Sequence, residues 1–150
     1  MTHNYAATVA WSGSTGAGYD AYDRTHTVTC PPAPATITMA SDPAFLGDPT
    51  LLNPEQLLLA AAVSCQLLSF LAVASRARID VLTYDDEASA VMPEAEGWIT
   101  GITLRPRIGV RTGPPEERVR HLVEVAHHEC FIARSLRSDI TIEATIVWVT

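Results

Sequence analysis

The chain contains no lysine: all ten basic side chains are arginine. That absence excludes a phosphate-cradling P-loop lysine, a Schiff-base nucleophile and pyridoxal phosphate attachment. There is no CxxC pair. The three cysteines, Cys30, Cys65 and Cys130, lie far apart in the chain, which weakens both a zinc finger and a thioredoxin-type motif. No GxSxG turn is present, so a serine-hydrolase elbow is missing too. No basic run occurs, and the net charge of −7 argues against nucleic acid or an anionic membrane as a partner. The N-terminal stretch MTHNYAATVAWSGSTG has neither the positive start nor the unbroken apolar segment of a signal peptide. The expectation is a cytoplasmic protein whose isolated cysteines pack in a core or do redox work, without a disulfide framework.

What is present suits one domain over residues 1–150, with an apolar fraction of 47% and 18% charged residues, enough to build a sizeable core. No internal repeat or linker divides it. Residues 5–11 read as a first strand, followed by a turn at Gly13, Gly16 and Gly18. From Tyr22 to Cys30 the residues alternate, with Tyr22, Arg24, His26, Val28 and Cys30 on the more apolar face. A short strand over 35–40 and a loop, SDPAFLGDPTLL, come next.

Asn53 is a good helix N-cap, Pro54 fits the first helical position, and Glu55 suits the positive end of the helix dipole. From Leu57 to Ala74 the helix is apolar on nearly every face, broken by Ser64, Gln66 and Ser69. A helix apolar all round is buried in a core or a membrane. Small residues, the polar interruptions and flanking strand patterns favour a central helix covered by sheet on one side and helix on the other. Residues 79–91 and 98–111 read as two strands. Pro114, Pro115, Glu116 and Glu117 then open a second helix with Val119, Leu122, Val123 and Ala126 on one face. A short helix near 131–137 and a strand over 140–149 complete the chain. With no repeated βαβ unit, the pattern predicts an α+β fold with an antiparallel sheet.

Cys65, in the middle of the buried helix, reads by position as a small packed hydrophobe, although the polar residues around it suit a cavity lining. Cys130 lies between two helical segments, either as a core residue or as a thiol activated at a helix start. Arg24 must reach water or pair with an anion, which makes it a candidate partner for a thiolate. Glu55 and Cys65, ten residues apart, are separated by roughly 15 Å along one straight helix. His127 and Cys130 could share a helical face, but zinc would still need Cys65 and a fourth ligand, so no metal and no cofactor are expected.

The stretch NPEQLLLAAAVSCQLLSFLA resembles the central-helix signature of the OsmC/Ohr family, and AHHECFIARSL resembles its second-cysteine motif. YDRTHTVT and SDPAFLGDP resemble the OsmC-like branch, which often carries histidine directly after the first cysteine where this chain has Gln66. The resemblance implies an intertwined homodimer with active sites at the subunit interface and a buried central helix. It implies a thiol peroxidase acting on organic hydroperoxides and recycled by a dithiol reductant. In that family Cys65 matches the peroxidatic cysteine and Cys130 the resolving one. Glu55 matches the glutamate that pairs with the active-site arginine, for which Arg24 is the candidate. The cross-subunit arrangement would bring Glu55 to a cysteine it cannot reach within its own helix. Two other readings stand beside this one: a non-catalytic relative that binds a small apolar ligand at the interface, and a slow redox sensor.

Overall fold

The computed structural model describes every residue, Met1–Thr150. The chain divides into two compact units, Met1–Leu57 and Leu58–Thr150. In the first, β1 (Thr8–Ala10), β2 (His26–Thr29) and β3 (Thr36–Met39) form an antiparallel sheet in chain order. Val28 lies opposite Val9 on one side and Ile37 on the other.

The strands are shorter than the alternation predicts. The Thr25 amide donates to Asp23 Oδ1 at 2.9 Å, and the Trp11 indole donates to the Asp23 carbonyl at 2.8 Å. An Asx turn of this kind offers the backbone an alternative to the ladder. Arg24 therefore sits in the loop before β2, not on the apolar face of a strand.

The helix start follows its sequence signals. Asn53 Oδ1 accepts the Gln56 amide at 2.8 Å while Gln56 Oε1 accepts the Asn53 amide at 3.0 Å, a reciprocal cap. Helix α1 (Pro54–Arg76) then runs into the second unit.

In the single chain α1 is buried on one face only, along Ala62, Gln66, Phe70, Val73 and Ala74. The opposite stripe, including Ala60, Ser64, Leu68 and Ala72, is exposed. By length and composition α1 is also apolar enough to cross a membrane. The expected two-sided burial is thus half realised, and the buried side includes a polar residue, Gln66, while leucines face out.

In the second unit each of the three long strands expected from the pattern is broken into two. These are β4 (Val81–Asp86) with β5 (Ser89–Val91), β6 (Gly101–Leu104) with β7 (Pro106–Arg111), and β8 (Asp139–Ile142) with β9 (Thr145–Val149). One half of each joins the sheet β4-β7-β9 and the other joins β5-β6-β8. The sheets are mixed, not purely antiparallel, because β6 pairs with β8, and β7 with β9, in parallel. Alternation of side chains cannot reveal a break at which a strand changes partners, since the pattern reads the same through it.

The three breaks meet at Arg105. Its amide donates to Asp86 Oδ1 at 2.7 Å, and its guanidinium reaches Glu143 Oε2 at 3.1 Å and Ser89 Oγ at 3.0 Å. Burial raises the Asp86 carboxyl above its ordinary range against the pull of Arg105, and Asp86 Oδ2 has no partner. A carboxyl whose folded pKa exceeds its unfolded one costs stability once pH rises through that range. Asp86→Asn keeps an acceptor for the Arg105 amide and removes the charge. Its urea midpoint should exceed that of the unsubstituted protein at pH 7, and the gap should close as pH falls below the unfolded carboxyl range. A lower midpoint at pH 7 would refute this account of the corner.

Helix α2 (Glu116–Glu129) buries Val119, Val123 and Ala126, the face its spacing predicts. With Phe70, Val73 and Ala74 of α1 and Ile108 and Val110 of β7 these form the main core of the unit. A second cluster gathers Ala62, Ile99, Ile102 and Leu104. Helix α3 (Phe131–Ser135) follows α2 after a single residue, Cys130.

Candidate active site: two neighbouring thiols

Cys130 is the residue at which α2 stops and α3 starts. It takes an extended backbone, its amide donates to the His127 carbonyl at 3.3 Å, and its Sγ accepts the Ala133 amide at 3.4 Å. The turn carries its side chain inward, where it is 1% exposed. Cys65 lies on α1, half-buried, and its Sγ accepts the Ile132 amide at 3.5 Å. The two sulfurs are neighbours at the first turn of α3, and both are free thiols.

The environment treats them differently. Burial pushes the Cys130 thiol up, and the bond to Cys65 pushes it the same way; the Ala133 and Ile132 amides oppose this and lose. Of the two readings the sequence leaves open for Cys130, the packed one prevails in part, because one short turn of amides does not offset the desolvation. The Cys130 thiolate is thus disfavoured, while Cys65 Sγ accepts the Ile132 amide. Within Leu58–Thr150 the groups that reach the sulfurs are backbone amides and the thiols themselves. No side-chain motif could have announced Ile132 or Ala133, because every non-proline residue carries that donor.

One residue beyond Cys65, Gln66 is 1% exposed and donates from Nε2 to the Val123 carbonyl at 3.2 Å. Its Oε1 is buried without a partner.

The other expected site residues stand as follows. Arg24 lies 3.9 Å from the ring centre of Tyr22 and 4.8 Å from that of Tyr19, and it donates to the carbonyls of both residues. Glu55 occupies the first turn of α1 and makes no ion pair within the chain. Arg24 and Glu55 are thus not paired in one copy. Cys30 is exposed. The His127 and His128 rings lie 5.8 Å apart and tilted to each other, and no three His, Cys, Asp or Glu side chains converge as metal ligands.

An α+β chain that brings together a half-buried and a buried thiol between a long helix and a helix junction defines the class: a dithiol protein without a CxxC motif. The family model described as OsmC-like protein matches residues 47–145, which includes both cysteines, and the chain belongs to that family. Among solved structures, an OsmC-like protein of unknown function from Vibrio cholerae superposes with a TM-score of 0.84 at 25% identity, over 96% of this chain and 100% of the other. An organic hydroperoxide resistance protein from Legionella pneumophila gives a TM-score of 0.68 at 17% identity, over 97% of this chain and 98% of the other. The organic hydroperoxide resistance protein OhrB of Bacillus subtilis gives 0.61 at 17% identity, over 97% and 98%. No curated protein sequence matches significantly.

Proposed function

We propose that the protein is a cysteine-based peroxidase that reduces organic hydroperoxides. The observation that carries the reading is the Cys65–Cys130 pair, in which the more accessible sulfur accepts the Ile132 amide and burial disfavours the thiolate of the other. A thiolate at Cys65 attacks the terminal peroxide oxygen. The O–O bond breaks, the alkoxide takes a proton and leaves as alcohol, and Cys65 becomes a sulfenic acid. Cys130 then attacks that sulfur, forming the disulfide and releasing water. A dithiol reductant of a reducing compartment such as the cytoplasm restores both thiols and is itself oxidised. Organic hydroperoxide resistance proteins that share the fold support the substrate class by analogy.

Arg24 is assigned the cation that favours the thiolate and Glu55 the carboxylate that orients it, contributed across the interface of a homodimer. The apolar flank of α1 suits an alkyl or fatty-acyl peroxide. Consumption of cumene hydroperoxide with a dithiol, compared between the unsubstituted protein and Cys65→Ser, tests the reading. Thiols that stay unreactive under mild peroxide would leave instead a protein that binds an apolar ligand. Cys30 has no part in the scheme, so Cys30→Ser should keep turnover within about twofold; a tenfold loss would give that exposed thiol a role.

A further inference from the structure

Gln66 is a costly residue to keep. A buried amide oxygen with no partner loses its hydration and gains nothing in return. The single bond the side chain makes is also one its acceptor does not need: the Val123 carbonyl lies inside α2 and already takes the His127 amide by ordinary helical pairing. Leucine or methionine would fill similar space with no orphaned atom. Stability therefore does not explain the residue, and its place does. Gln66 follows Cys65 on α1, while Val123 stands two turns before Cys130 on α2.

We propose that Gln66 is a positioning residue for the disulfide-forming step. Its Nε2–Val123 bond fixes α1 against α2 so that Cys65 keeps its register toward Cys130. The other polar ties between these helices, Arg76 to Glu129 at 2.6 Å and Arg118 to the Ala77 carbonyl just past α1 at 2.9 Å, are exposed and hold register weakly. Attack by a sulfur on a sulfenic acid must end at a bond of about 2 Å with Cα atoms within about 7 Å, so a small slide of one helix matters. The chemistry is the second half-reaction above: the Cys130 thiol displaces hydroxide from the Cys65 sulfenic acid, one S–S bond replaces an S–O and an S–H bond, and water leaves. The inference rests on the peroxidase reading and adds to it what sets the rate of closure.

The test compares the unsubstituted chain with Gln66→Met and Gln66→Leu after one equivalent of cumene hydroperoxide. Dimedone trapping reports sulfenic acid, and mass spectrometry of the alkylated protein reports disulfide. In both variants closure should slow about tenfold relative to sulfenic acid formation in the same sample, a dimedone-reactive intermediate should accumulate, and Tm should hold or rise. An unchanged ratio of the two rates overturns the positioning role while leaving the peroxidase intact. A clear fall in Tm makes Gln66 a structural residue and overturns it as well. If the unsubstituted protein forms no Cys65–Cys130 disulfide, the peroxidase reading fails, and this inference with it.

Discussion

Cys65→Ser should consume no hydroperoxide above the buffer rate, whereas Cys130→Ser should reduce one equivalent per site and then stop. The two outcomes differ because the proposed scheme gives the two sulfurs different jobs. A serine hydroxyl cannot supply a thiolate-like nucleophile at neutral pH, nor can its oxygen form a sulfenic acid, so the first substitution removes the chemistry itself. The loss should therefore be complete within detection. In Cys130→Ser the attacking sulfur remains and a hydroxyl still stands beside it as a donor. Cys65 should gain one oxygen, visible as a dimedone adduct, and no intramolecular disulfide should follow. In the proposed scheme Cys65 attacks first, because desolvation disfavours the Cys130 thiolate. Full turnover by Cys65→Ser would sink the scheme. A first turnover at Cys130 in that variant would reverse the roles.

The local signals of the sequence carried far in some places and stopped in others, for physical reasons. The cap at Asn53 and the apolar face of α2 were readable because each depends on neighbours three or four residues away. The three strand breaks were not. A strand that crosses from one sheet to another keeps its period of two, and what marks the crossing is the Arg105 guanidinium meeting Ser89 and Glu143 from distant strands. The parallel pairing of β6 with β8 and β7 with β9 likewise depends on contacts across the chain, which alternation does not encode.

At the candidate site the motif resemblance singled out Cys65 and Cys130, but position alone read Cys65 as packing. The missing information was environmental. Cys130 has a helix start after it, which favours a thiolate, and near-complete burial, which opposes one, and only the fold shows that burial wins. Arg24 was read as a strand residue because the Asx turn at Asp23 preserves the alternation of the letters while taking the backbone out of the ladder.

The second large effect concerns the exposed stripe of α1. Leu68 is 63% exposed and Leu71 38%, on a helix with no charged side chain between Glu55 and Arg76. Burying a leucine is worth about 1.5–3 kcal/mol, and a twofold axis counts each residue twice. In the proposed homodimer, a second copy laid antiparallel on this stripe would cover the leucines of both chains and let Glu55 of one serve the thiol pair of the other. Leu68→Glu places a carboxylate in that seam in both copies, where burial of a charge without a partner costs several kcal/mol. In sedimentation at micromolar concentration the unsubstituted protein should run at twice its chain mass of 16.2 kDa. Leu68→Glu should run at the single-chain mass, with turnover reduced at least about a hundredfold, because Glu55 and Arg24 would no longer reach a thiol. An unsubstituted protein that sediments as a monomer while turning over peroxide would break the link between the stripe and the chemistry. So would a Leu68→Glu protein that stays dimeric.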